Sequence, residues 1–162
     1  MKVIVVTHGQ HQRGGTRAEN YDGPLIEEAL QKVRGIRIPS VDAIFCGTMR
    51  RHRETAEAMG VKNATLTKIC GWDTSMFAML EGDKEPVSAF WEWLRGLKEE
   101  GHRSLLIITS RGYAIMLRYL IDGGEKRFGP FGNFLKAIEA ASRWPNTTIP
   151  FMEAGVAHTF EI

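Results

Sequence analysis

Two kinds of apolar pattern alternate along the chain. Short continuous runs at residues 3–6, 43–46 and 105–109 predict buried strands, the third being Leu-Leu-Ile-Ile-Thr. Between them apolar residues recur at helical spacing. Leu25, Ile26, Ala29, Leu30 and Val33 predict one helix, and residues 49–59, mostly good helix formers, predict a second. Pro86 is placed to start a third, whose apolar face is Val87, Phe90, Trp91, Leu94 and Leu97; Trp93 falls off that face and is expected to cover a neighbouring loop. Residues 112–121 predict the helix after the 105–109 strand, and Phe134, Leu135, Ile138 and Ala141 predict another that stops near Pro145. A further strand is expected at residues 65–69. A last one is expected at 156–162, where His158 shares a face with Val156, Phe160 and Ile162. Strands alternating with helices predict a layered α/β domain on a largely parallel sheet. Two irregular stretches, 10–23 and 71–85, are long enough for loops with a function.

Composition narrows the setting. With 162 residues and 43% hydrophobic content, the chain has the size and core of one domain, and no linker or repeat divides it. Twenty-one basic and nineteen acidic residues leave a formal charge of +2, which implies no nucleic-acid partner. The Arg50–Arg53 cluster has no interleaved aromatic platform that would change this. Cys46 and Cys70 lack metal-ligand spacing and are expected to be buried, reduced thiols of a cytoplasmic protein. The first apolar run is too short for a secretory signal, and no run approaches the ~20 residues of a membrane helix.

Three side chains fall at strand-to-helix junctions, where ligands of α/β proteins bind. His8 follows the first strand, Arg51 lies in the first turn of the helix after the second, and Arg111 follows the 105–109 strand. Helix N-termini favour anions, and arginine forks match phosphate oxygens bidentately. An imidazole between two guanidinium groups therefore suits a phosphate. His8 and His11 have H-x-x-H spacing, but in a loop without further ligands, so no metal is expected. His11 and Arg13 are expected to line the pocket entrance.

Several segments, in order along the chain, resemble those of the histidine phosphatase (phosphoglycerate-mutase-like) superfamily. Thr7-His8-Gly9 resembles its Arg-His-Gly signature, with threonine in the arginine's place. Asp22-Gly23-Pro24-Leu25 is similar to Asp-x-Pro-Leu-Thr. Residues 46–56 resemble the Ser-Ser-Pro-Leu-x-Arg-Ala-x-Gln-Thr-Ala helix, which aligns Arg51 with the phosphate-binding arginine. Ile108-Thr109-Ser110-Arg111-Gly112 resembles Val-Val-Ser-His-Gly, and Asn146-Thr147-Thr148-Ile149 resembles Asn-x-Ser-Ile. The resemblance implies a three-layer α/β/α sandwich with a mostly parallel central sheet. It also implies a nucleophilic histidine, His8, that becomes a phosphohistidine. No cofactor or metal is implied. Thr7 stands where a second arginine belongs, and Arg111 where a second histidine belongs. The family's acid follows the third strand, near Lys68, where no carboxylate occurs.

The expected phosphate-binding group is Thr7, His8, Arg51, Arg111 and Gly112, and the expected ligand is phosphate or a phosphorylated small molecule. Losing a general acid costs ~10²–10⁴ in rate, and a misplaced charge-stabilising donor ~10²–10³. The leading expectation is thus a phosphoester-binding protein with weak or lost phosphohydrolase activity through His8. Alternatives are a competent phosphatase whose proton comes from Glu81, with Asp73 behind it, and a non-catalytic scaffold for a protein partner. A mutase, which needs proton transfer in both directions, is least expected.

Overall fold

The computed structural model describes residues 1–12, 22–71, 85–141 and 153–162. Its centre is a five-stranded sheet in the order β3-β2-β4-β1-β5. Strands β1 (Lys2–Thr7), β2 (Ala43–Gly47), β3 (Thr65–Thr67) and β4 (Ser104–Thr109) run parallel; β5 (Ala157–Glu161) is antiparallel beside β1. The register pairs Thr7 with Thr109 and Cys46 with Ile108, so β1, β2 and β4 end at one common edge.

Continuous apolar runs form the central strands because helices cover both faces. Val3, Val5, Leu105 and Ile107 point into the larger core, built with helices α3 (Glu85–Glu99), α4 (Arg111–Ile121) and α6 (Phe131–Ala141). Ile4, Val6, Leu106 and Ile108 point into a smaller one on the opposite face. The helices α1 (Glu27–Arg34) and α2 (Arg50–Ala58) pack on each other there, and α2 contributes Ala56 to that core. This is the expected α/β/α sandwich.

Three elements differ from expectation. The strand expected at 65–69 ends at Thr67, whose hydroxyl accepts a hydrogen bond from the Ile69 amide (3.2 Å) and starts a 3₁₀ turn at Lys68–Cys70. It is an edge strand with Leu66 53% exposed, so no buried face extends it. A helix the sequence does not announce, α5 (Gly124–Phe128), opens on two glycines at positive φ, its cap Gly123 (+116°) and its first residue Gly124 (+54°), which read as a break. Rings hold it in place, with Phe128 4.9 Å from Phe134 and Tyr119 5.2 Å from both Phe131 and Phe134. Finally, Trp93, off the apolar face of α3, is packed against the sheet. Its ring meets Phe45 of β2 edge to face at 4.9 Å.

Cys46 and Cys70 are buried free thiols, and burial pushes Cys46 up to about 12. His158 is half-buried on the β5 face that carries Phe160. Among the described residues no helix is long and apolar enough to cross a membrane.

Candidate active site

His8 is the first residue beyond β1, and its backbone is fastened on both sides. Its amide donates to the Thr109 carbonyl of β4 (2.9 Å), and its carbonyl accepts from the Gly155 amide (3.2 Å). The ring is fixed as firmly. Nδ1 lies 2.6 Å from the Gly9 carbonyl, which only accepts, so Nδ1 carries the proton. Nε2 accepts a hydrogen bond from Arg51 Nε at 3.1 Å. The imidazole is therefore neutral, with its Nε2 lone pair turned to a guanidinium. Burial, and then the nearby Arg51 charge, lower the His8 pKa to about 3. Gly9 is needed for this arrangement, because a Cβ there would lie 2.5 Å from the Ala29 Cβ of α1.

Arg51 sits in the first turn of α2 and is only 5% exposed. The helix start is held from a distance. Asp22 Oδ1 accepts from the Arg50 amide (2.6 Å), while Glu54 accepts from the Leu25 amide and from Arg50 Nε (2.7 Å each). The Asp22–Leu25 segment singled out in the sequence thus caps and braces the helix that carries Arg51.

The next residue, His52, was hidden in a charge run that reads as a solvated helix face. It is fully buried, its ring 5.4 Å from that of His8, with Nε2 2.9 Å from Ser110 Oγ. Its Nδ1 has no hydrogen-bond partner among the described residues, and burial drives its pKa well below the ordinary histidine value. The available signal was periodicity. Arg51, His52, Thr55 and Ala56 form one buried face at i, i+1, i+4 and i+5, and Thr55 and Ala56 are small enough to pack there.

Ser110 precedes α4, and Arg111 opens that helix. Arg111 is exposed, yet close enough for its charge to help hold His8 neutral; Gly112 is buried behind it. Thr7 is brought to the same edge but faces away. It has no exposure, and its hydroxyl donates to the Glu153 carbonyl at 3.0 Å. It braces the 153–156 segment behind His8 instead of lining the pocket. His8, Arg51 and Arg111 do converge.

His11 is half-buried, its ring 5.7 Å from His8 and edge-on to it. Arg13, Asp73 and Glu81 lie outside the described residues. So does residue 72 onward to 84, but the chain enters that stretch from the site's edge. The Tyr113 hydroxyl donates to the Gly71 carbonyl (3.1 Å), and the Thr109 hydroxyl donates to the Cys70 carbonyl. Among the described residues no three His, Cys, Asp or Glu side chains group as a metal site would need.

No protein-family model matches the chain, and no curated protein is similar to it in sequence. Solved structures are similar in fold. The protein histidine phosphatase SixA, complexed with tungstate, is 18% identical with a TM-score of 0.56, over 98% of this chain and 86% of that one. The product of open reading frame Rv3214 from Mycobacterium tuberculosis is 14% identical with a TM-score of 0.58, over 99% and 91%. A single-site variant of TTHB049 from Thermus thermophilus is 20% identical with a TM-score of 0.53, over 98% and 92%. The chain shares the fold of these structures, the protein histidine phosphatase SixA among them.

Proposed function

We propose that the chain binds phosphoryl groups between His8, Arg51 and Arg111 and hydrolyses phosphomonoesters slowly through a phosphohistidine on His8. One observation carries this reading. Nδ1–H is committed to the Gly9 carbonyl, and Nε2 presents its lone pair to a buried guanidinium. An arriving phosphoryl group takes over the Arg51 donors, which frees Nε2 for attack while the positive charge stays in place. The Nε2 lone pair then forms an N–P bond as the ester P–O bond breaks. Water attacks the phosphohistidine, the P–N bond breaks, and inorganic phosphate leaves. Burial, and then the Arg51 charge, keep His8 neutral and nucleophilic well into the acid range.

Two features support a slow rate. The Thr7 hydroxyl faces away from the pocket, so a donor is lost there, and Arg111 cannot exchange protons as a histidine does. Fold similarity to a histidine phosphatase that holds tungstate agrees with this reading as analogy. The test is hydrolysis of p-nitrophenyl phosphate and a panel of phosphorylated metabolites, from acid to neutral pH, beside His8→Ala. Hydrolysis lost in the variant is expected; equal rates in both proteins contradict the reading.

A further inference from the structure

The phosphohistidine route needs a proton for the departing oxygen. Among the described residues the charged groups that act on His8 are all basic: Arg51, His11 and Arg111. Guanidinium groups keep their protons, whereas an imidazole gives and takes one near neutral pH. Two imidazoles flank His8, at 5.4 Å (His52) and 5.7 Å (His11) between ring centroids. His52 has no exposure and is bonded to Ser110, so substrate does not reach it. His11, in contrast, is half-buried and keeps some exposure to solvent.

Resting on the phosphohistidine reading, we propose that His11 is the general acid and base of the reaction. Its backbone is held on both sides. The Gln12 amide donates to the Pro24 carbonyl (2.7 Å) and the Ile26 amide to the Gln10 carbonyl (3.1 Å), which makes His11–Leu25 an antiparallel bridge. Leu25 is itself buried and tied to Glu54 of α2, the helix that carries Arg51. The acid, the nucleophile and the clamp are thereby joined through one short framework.

In the first step His8 Nε2 bonds to phosphorus, the ester P–O bond breaks, and His11 in its protonated form gives the leaving oxygen its proton, releasing an alcohol. In the second step neutral His11 takes a proton from water as the hydroxyl bonds to phosphorus. The P–N bond electrons return to His8 Nε2, inorganic phosphate leaves, and His11 is protonated again. No other reactant is needed.

A general acid matters most when the leaving group is poor, so the test is a comparison of leaving groups. kcat/KM is measured for p-nitrophenyl phosphate and for unactivated alkyl phosphates, with wild type, His8→Ala, His11→Gln and Glu81→Gln. Tungstate affinity and circular dichroism report whether each variant keeps its pocket and fold. The expected result is that His11→Gln loses at least ~10²-fold more on alkyl phosphates than on p-nitrophenyl phosphate, the scale of general acid catalysis. Equal losses on both substrates, or no loss, would overturn the proposal, as would the same selective signature in Glu81→Gln alone. Each of these leaves the role of His8 standing. Hydrolysis that survives His8→Ala, or a wild type that hydrolyses neither substrate, overturns the underlying reading and the acid with it.

Discussion

The imidazole of His52 occupies the space that a side chain on Gly47 would fill. A Cβ at residue 47 would stand 2.2 Å from His52 Nδ1 and 2.8 Å from the Cys70 carbonyl oxygen. The last residue of β2 therefore has to be glycine for the ring to lie behind His8. Gly47→Ala pushes against a backbone carbonyl as well as the ring, so neither can simply step aside. Overpacking of this kind costs ~1–3 kcal/mol. Urea denaturation of Gly47→Ala is expected to show a loss at the upper end of that range, together with weaker tungstate binding. A midpoint equal to that of wild type would contradict the placement of His52.

The same pair shows what the sequence does and does not reveal. The central strands are legible because Val3, Ile4, Val5 and Val6, and Leu105 to Ile108, are apolar on both sides, which only a doubly covered sheet requires. His8 and Arg111 are legible because a residue just beyond such a strand must lie at the sheet's edge. His52 is not, because its burial depends on Gly47 and Ser110, which are 5 and 58 residues away and reach it only through the fold. Thr7 shows a different limit. Its position at the edge follows from the strand, but the direction of its hydroxyl is decided by the Glu153 carbonyl, 146 residues further on. Helix α5 escapes notice because the two glycines that open it resemble a break, and aromatic contacts from α4 and α6 hold it.

Arg51 does two things for the site, and Arg51→Lys separates them. Lysine keeps the positive charge but loses the Nε–H that meets His8 and the planar fork that matches a phosphoryl group. The expected loss is ~10²–10³ in kcat for p-nitrophenyl phosphate, the scale of a displaced charge-stabilising donor. A loss below about tenfold would mean that charge alone suffices there.

His8 is expected to stay neutral throughout the working range. With its pKa lowered to about 3, chiefly by burial and then by Arg51, its ring nitrogens should show the Nδ1–H tautomer at neutral pH and not titrate on acidification to about pH 4. Long-range proton–nitrogen NMR correlation reads both. An ordinary titration near pH 6.5, the unperturbed histidine value, would contradict the site's electrostatics. In Arg51→Ala one of the lowering causes is gone, so the His8 pKa should rise.

Stability should fall on mild acidification. His8 and His52 are both harder to protonate folded than unfolded. Above the unfolded value of ~6.5 neither state binds the proton and nothing is lost. As pH falls below it, the unfolded chain takes up protons that the folded chain refuses, so the balance shifts toward unfolding, down to about 3 for His8. Each such imidazole contributes a slope approaching ~1.4 kcal/mol per pH unit. Urea denaturation between about pH 7 and pH 5 is expected to show decreasing stability, with a shallower slope in His52→Asn. A flat dependence would contradict the burial of both rings.

The most direct test of the central claim is to look for the phosphoryl group on His8. Wild type and His8→Ala are mixed with a phosphomonoester, quenched rapidly in base, and examined by intact mass and peptide mapping. The account predicts an acid-labile adduct of one phosphoryl group, mapped to His8 and missing from the variant. Turnover with no adduct on His8, or with an adduct on another residue, would contradict it.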